Sequence, residues 1–531
     1  MRRSQTFRVG ATVAVAAGAL VFTTLPSSAA PTAAQLPDGP ALAKNLTKKV
    51  TGAGVNRHLI ALQRIADTNG GNRAAGRPGY DKSAEYVESK LKAAGFNVSR
   101  HAFPFTYTET LAEKLTVGGK AVPISIMTYS LSTPTGGITA DLVAIPAGAD
   151  ATPGCTAEDF AGIAVTGKIA LISRGGCTFA EKQTAAAGAG AVGAVIYNNT
   201  DGALAGTLGD PAVAKLPTGG ITKADGEALV AAGGKATLEL RALREDRTSF
   251  NVIAETKTGR KNNVIMAGAH LDSVALGAGI NDNGSGSAGL LETAIQLGGS
   301  PRVNNAVRFA WWSAEELGLV GSTKYVQSLT FEQQLDIALY LNFDMIGSPN
   351  AAYMVYDGDN SDNTGAGEGP YGSAQIEKAF VDFLGATGTQ TEGADFTGRS
   401  DYGEFIAQGI PAGGLFTGAE GIKTESQAAK WGGQAGVAYD KCYHAKCDNL
   451  GNVDRVALDR NSDAIAWVTA SYAISTEDVN GIPPRDARAK VRAAEKTMMK
   501  VLLAEDHAPA STGNAGIGDG HDHENDHHVA E

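Results

Sequence analysis

The stretch "VIMAGAHLDSVALGAGINDNGSGSAGLLETA", residues 264–294, sets an apolar run against a His-x-Asp pair. A second aspartate follows ten residues later inside a Gly/Asn/Ser-rich turn. The pattern predicts a buried strand over 263–267 and a helix over 285–297. The same rhythm repeats downstream, with a strand over 306–312, a helix from about 316 to 328 and a strand over 337–342. Strands alternating with helices predict an α/β domain with a mainly parallel mixed sheet sandwiched by helices. Such sheets bind ligands at the carboxyl ends of their strands. His270, Glu315 and Asp344 each fall just past a predicted strand, so they are placed to converge.

Outward from this core the texture changes. Upstream, the stretch from Arg57 to Phe105 reads as helix, Gly-rich loop, a helix with apolar Tyr86, Val87 and Leu91, then a strand from Phe96. Between about 130 and 248 short Val/Ile/Ala strands alternate with many glycines, and "CTFAEKQTAAAGAGAVGAVIYNN" (177–199) reads as a helix leading into a buried strand. No cluster of His, Asp and Glu suggestive of metal or acid-base chemistry stands out there. From about 479 the chain turns polar, and His507, His521, His523, His527 and His528 crowd its end. That tail is expected to be solvated, with metal recruitment as the alternative.

At 531 residues and 43% hydrophobic composition, the chain can form two or three domains with cores of their own. A net charge of −11 without a basic stripe argues against a nucleic-acid partner. "MRRSQTFRVGATVAVAAGALVFTTLPSSAA" (1–30) has a basic start, an apolar stretch and small residues at Ala29 and Ala30, the layout of a cleaved signal peptide. Its apolar run is short for a membrane anchor. Arg2 and Arg3 hint at twin-arginine export. Residues 31–45 read as a lead or pro-segment. The mature protein is therefore expected to be secreted, extracellular, without a membrane span, and monomeric. Export permits disulfides, and the simplest pairing of the four cysteines is Cys155 with Cys177 and Cys442 with Cys447. A zinc knuckle at Cys442 and Cys447 is the other reading, for which no second close cysteine pair exists.

Without the tail four histidines remain, and His270 and His444 sit among carboxylates. The candidate ligands are His270 and Asp272 in "AGAHLDSV", Asp282 in "GINDNGSG", Glu315 and Glu316 in "VRFAWWSAEELG", Asp344 in "LNFDMIG", and His444 in "KCYHAKCDNL". Imidazole nitrogen and carboxylate oxygen suit zinc. Adjacent carboxylates after a buried strand repel unless something positive lies between them. A helix N-terminus would also favour them, by a few tenths of a kcal/mol. Set beside the other candidate ligands at strand ends, the pair points to metal chemistry.

In these motifs the sequence resembles peptidase family M28, zinc aminopeptidases of the bacterial leucine-aminopeptidase type with a zinc-exopeptidase fold. The resemblance covers roughly 46–130 and 248–478. The segment 131–247, with "GKIALISRGGC" (167–177), resembles the β-rich protease-associated (PA) domain, a non-catalytic insertion in this family. The resemblance implies two zinc ions per chain, with Asp282 bridging them, His270 and Asp344 completing one position, and Glu316 and His444 the other. It further implies that Asp272 orients the His270 ring, that Glu315 is the general base and acid, that Tyr443 donates to the oxyanion, and that Asp282–Asn283 is a cis bond.

"FTGRSDYGEF" (396–405) matches a family segment whose arginine helps hold the bound peptide, here Arg399; a surface arginine paired with Asp401 is the alternative. Tyr402 and Glu404 depart from the "SDHGPF" common in bacterial relatives. Met345 and Phe416 match residues near the pocket for the first side chain, so large apolar N-terminal residues such as Leu are expected. Peptides and proteins with free N-termini are the expected substrates. Two other readings stand beside this one: a hydrolase of the same fold with carboxypeptidase-like or cyclase-like specificity, and a catalytically dead peptide-binding scaffold.

Overall fold

The computed structural model of the chain describes residues 39–146, 152–363, 367–477 and 481–506. The strand of the opening motif, Arg260–His270, lies inside a mixed sheet. Ala412–Phe416, Ile337–Phe343, Arg260–His270 and Asn305–Trp312 run parallel side by side. In register, His270 lies opposite Trp312 and Gly268 opposite Asn342, so the strands end close to level. Gly234–Glu255 then adds antiparallel to Asn305–Trp312, and Asn97–Val117 adds beyond it.

The four parallel strands are almost wholly buried because helices cover both faces. Alternate side chains enter different cores. Ile265, Ala267, Phe309, Trp311, Leu339 and Leu341 pack with the helices Gly52–Thr68, Pro78–Ala93, Gly284–Leu297, Ser373–Ala386 and Arg455–Ile474. Met266, Ala310, Trp312 and Tyr340 pack on the other side with Val326, Phe405, Ile406 and Met499. Gly268 belongs to that second face, where a Cβ would stand 2.4 Å from the Tyr340 hydroxyl and 2.5 Å from Trp312 Nε1. Only glycine leaves room for those two rings to hydrogen-bond, at 2.8 Å.

Asn97–Val117 and Gly234–Glu255 form a long antiparallel ribbon, in register from Asn97 with Glu255 to Val117 with Ala236 apart from one irregularity at Thr110/Ala112. One end, Val252–Glu255, extends the sheet of the opening motif. The other continues through Ile138–Ala144 into the parallel strands Ile169–Ser173, Gly193–Tyr197 and Thr218–Ile221, which have two apolar cores of their own. The boundary expected at 247/248 thus falls inside a strand. Disulfides join Cys155 to Cys177 and Cys442 to Cys447.

Overlapping the segment expected to be a lead or pro-segment, a helix runs from Gly39 to Thr47, with Ala43 and Leu46 buried. Two expectations are corrected. The helix expected from about 316 starts only at Val320. Ala314, Gly318 and Leu319 have positive φ, so a right-handed helix cannot run through this segment. Of the tail expected over 479–531, Arg485–Asp506 is a helix docked on the core. Its anchors are arginines: Arg488 donates to Leu335 O and Pro483 O, Arg492 to Gln334 O and Ile337 O, and Arg485 pairs with Asp336 and Glu332. A hydropathy pattern does not register such anchors. The five tail histidines, and residues 1–30, lie outside the described residues. Among the described residues no helix is long and apolar enough to cross a membrane.

Beyond the strand Met354–Tyr356, carboxylate oxygens of Asp357, Asp359 and Glu377 lie within 4.8 Å of one another. Burial, and then Asp357, Asp359 and Asp362, push the Glu377 carboxyl up to about 7, against a 2.8 Å hydrogen bond from Gly358 N. Between its ordinary value and about 7 the folded chain holds a proton that the unfolded chain has lost, so stability falls as pH rises through that window. Glu377→Gln keeps an acceptor for Gly358 N. It is expected to melt above wild type at pH 8, with the gap closing at pH 4.5, by scanning calorimetry. A gap of the same size at both pH values would refute this account.

Candidate metal centre

Each strand end delivers one part of the site. His270 is the last residue of its strand, Glu315 and Glu316 follow Asn305–Trp312 by three and four residues, and Asp344 directly follows Ile337–Phe343. Asp282 sits in the turn before Gly284–Leu297, and its bond to Asn283 is cis. Asn283 caps that helix by accepting Gly286 N, while its amide donates to Phe343 O at 2.9 Å. His444, at φ 53°, lies in the loop closed by Cys442–Cys447.

Two donor groups result, with Asp282 common to both. His270 Nε2 is 3.3 Å from Asp282 Oδ1 and 3.3 Å from Asp344 Oδ1. His444 Nε2 is 3.3 Å from Asp282 Oδ2 and 3.0 Å from Glu316 Oε2. Glu315 belongs to neither group, its Oε2 being 3.8 Å from His270 Nε2. Asp272 lies on the far side of the imidazole, 3.7 Å from Nδ1, and its main-chain oxygen is 3.3 Å from the same nitrogen. The Asp272 carboxylate also accepts Glu315 N at 3.3 Å and Glu316 N at 3.4 Å, tying two strand ends together.

The supports of this site were not singled out from the sequence. Asp448 accepts Asn281 N at 2.8 Å and Asp282 N at 2.9 Å, and Asn281 donates to Asp440 and Ser348. Asp440 and Asp448 flank the cysteine pair around His444, a signal that was present. A buried chain reaches Asp344: Trp312 Nε1 donates to the Tyr340 hydroxyl, which donates to Asn342, whose amide donates to Ser400, whose hydroxyl donates to Asp344 Oδ2 at 2.6 Å.

Of the residues expected to touch substrate, Tyr443 stacks on His444 with ring centroids 3.9 Å apart. Arg399 is paired with Glu420 at 3.6 Å, and Asp401, its expected alternative partner, is buried elsewhere beside the site. Met345 follows Asp344 and is buried, held through its main chain by Asn283 and Thr417. Phe416 ends its strand half-buried.

The electrostatics are those of a pocket with excess negative charge. Burial works against charged imidazoles, yet Glu315 and Asp344 around His270, and Glu316 and Asp282 around His444, raise both histidines well above their ordinary range. Burial lifts Glu315 well above the usual carboxylate range, with Asp344, Asp401 and Glu316 adding to it. Burial and Asp282 push Glu316 up to about 7. Burial opposes ionisation of Asp282 as well, but hydrogen bonds from His270 and His444 hold its carboxyl below the usual range.

The donor set fits zinc. Each group offers one imidazole nitrogen and two carboxylate oxygens within 4.8 Å of one another. Glu316 Oε1 and Asp344 Oδ1 are buried without a hydrogen-bond partner, which a cation would satisfy.

A mainly parallel α/β sheet with imidazoles and carboxylates gathered at its strand ends defines the class as a metal-dependent hydrolase. The family model of peptidase family M28 matches residues 251–469, and that of the PA domain matches 138–229. Over 453 residues the chain is 46% identical to a probable lipoprotein aminopeptidase, LpqL, of Mycobacterium tuberculosis, covering 84% of this chain and 90% of that protein. It is 45% identical to leucine aminopeptidase 2 of Trichophyton tonsurans, covering 84% and 88%. A zinc aminopeptidase from Bacillus subtilis superimposes with a TM-score of 0.57 at 25% identity, covering 83% of this chain and 97% of that one. The chain belongs to peptidase family M28, with a PA domain.

Proposed function

We propose that the protein is a secreted aminopeptidase that holds two zinc ions and removes large apolar N-terminal residues, such as Leu, from peptides and proteins. The observation that carries this reading is the sharing of Asp282 between two complete donor groups beside a carboxylate, Glu315, that belongs to neither. His270, Asp282 and Asp344 would hold one ion, and Asp282, Glu316 and His444 the other. When bound, the ions supply Lewis acidity that polarises the scissile carbonyl and acidifies water.

The chain's own groups do the rest. Glu315 takes a proton from the attacking water on its carboxylate and returns it to the departing amine nitrogen. The Tyr443 hydroxyl donates to the carbonyl oxygen as negative charge grows there. Asp272 holds the His270 ring so that Nε2 faces the site. Arg399 steadies the bound peptide, while Met345 and Phe416 line the pocket for the first side chain. The insertion over 131–247 is a non-catalytic module. Two disulfides suit an oxidising compartment outside the cell. Donors for both ions and the base are all present, against both a one-zinc cyclase and a dead scaffold.

The purified enzyme is expected to release Leu from Leu-p-nitroanilide and from peptides with a free amino terminus. The same peptides N-acetylated should be cleaved at least about a hundredfold more slowly, given the discrimination available when a buried polar partner is lost. Equal cleavage of free and acetylated peptides would sink the aminopeptidase reading.

A further inference from the structure

Residues 271–281 connect His270 to Asp282 and include Gly277 and Gly279. A connection of this length holds its ends loosely unless something ties it. The tie comes from far upstream, at Asn72–Arg73 in "NGGNRAAGRPGY" (69–80). Arg73 is fully buried. Its Nε donates to Ala278 O at 2.8 Å, while its two terminal nitrogens donate to Leu271 O and Gly279 O. Its backbone N–H donates to Ser273 Oγ at 2.9 Å, and the Asn72 amide donates to Ala275 O at 3.0 Å.

One guanidinium therefore pins both ends of the connection. Leu271 follows His270 directly, and Gly279 lies three residues before Asp282. The packing around it is tight. A Cβ on Gly279, at φ 61°, would fall 2.4 Å from Ser273 Cβ and from Asp282 O, and a Cβ on Gly79 would fall 2.0 Å from Asn72 O. The helix Pro78–Ala93 thus backs the Asn72–Arg73 segment against the loop.

The bonding partners of the guanidinium are main-chain carbonyls, so its charge is not spent on a carboxylate in contact. Burial lowers its pKa, and the fields of Asp272, Asp448, Asp282 and Glu316 oppose that shift. A neutral anchor could tie the loop, but it would not place a positive charge beneath this cluster of acids.

We propose that Arg73 is a positioning residue of the reaction: by clamping Leu271, Ala278 and Gly279 it sets the separation of His270 from Asp282. This rests on the two-zinc reading of the site. Misplacement of a catalytic group by about 1 Å costs on the order of a hundredfold in rate. Arg73→Met, at saturating zinc, is expected to lower kcat about 10- to 100-fold with KM for Leu-p-nitroanilide unchanged. Its zinc affinity, by competition with a chromogenic chelator, should fall at least about tenfold. Arg73→Lys keeps the charge without the three-pronged reach, and should recover only part of both.

A purely structural arginine would lower the melting temperature and leave kcat per folded molecule and zinc affinity as in wild type. That result, or a loss carried by KM alone, overturns the proposal. If Arg73→Met does not fold, Arg73→Lys decides: wild-type kcat and zinc affinity in it overturn the proposal equally. The wild-type titration separates the two levels. Fewer than two zinc equivalents would overturn the reading of the site, whereas two equivalents with an indifferent Arg73 would overturn this inference alone.

Discussion

Glu315→Gln is expected to lower kcat by a factor of about 10² to 10⁴, or about 3 to 5 kcal/mol of activation free energy, while KM and zinc content stay near wild type. The expectation follows from where the carboxylate stands. Glu315 is buried at the edge of the first donor group, 3.8 Å from His270 Nε2, and contributes to neither. Its backbone N–H is held by Asp272, a bond that the amide variant keeps. What the variant loses is the ability to accept a proton and pass it on. Glu316→Gln is the contrasting change, because Glu316 faces His444 at 3.0 Å and should cost metal before it costs chemistry. Steady-state kinetics with metal analysis on both variants distinguishes the roles. Full activity in zinc-loaded Glu315→Gln would remove Glu315 from the proton transfers.

Sequence patterns served best where one strand or helix decides the outcome alone. The apolar runs before His270, Glu315 and Asp344 place those residues at strand ends, and the strands lie within a few residues of where periodicity predicts them. Patterns failed where distant groups settle local structure. The segment after Glu316 turns through positive φ at Gly318 and Leu319 before the helix opens, with the Glu315 and Glu316 N–H groups bound to Asp272 some forty residues upstream. The C-terminal helix is anchored through arginine bonds to main-chain oxygens, which resemble solvent-exposed charge in a hydropathy reading. Arg73 sits in a Gly-rich segment that reads as loop, and nothing local marks it as buried. Asp448, Asp440 and Ser400 are polar residues beside recognised motifs, and their contacts with the site are made only by tertiary structure.

Asp282→Asn should be the most damaging single substitution for metal content. Each of its carboxylate oxygens faces a different histidine at 3.3 Å, so a neutral amide removes a charged donor from both groups at once. The shape of the turn should survive, because Asp448 holds the backbone N–H groups of Asn281 and Asp282 and Asn283 caps the following helix. Asp344→Asn changes only the group built on His270. Bound zinc, measured by atomic absorption after dialysis, is therefore expected to fall from two equivalents towards one in Asp344→Asn and well below one in Asp282→Asn. Peptidase activity should be lost in the latter at any zinc concentration that leaves wild type saturated. The sign of the effect follows from charge: a carboxylate is the anionic donor common to both groups, and an amide offers neither that charge nor two equivalent oxygens. Two zinc equivalents retained by Asp282→Asn would mean that the groups bind independently, and the shared carboxylate would then lose its place in the proposal.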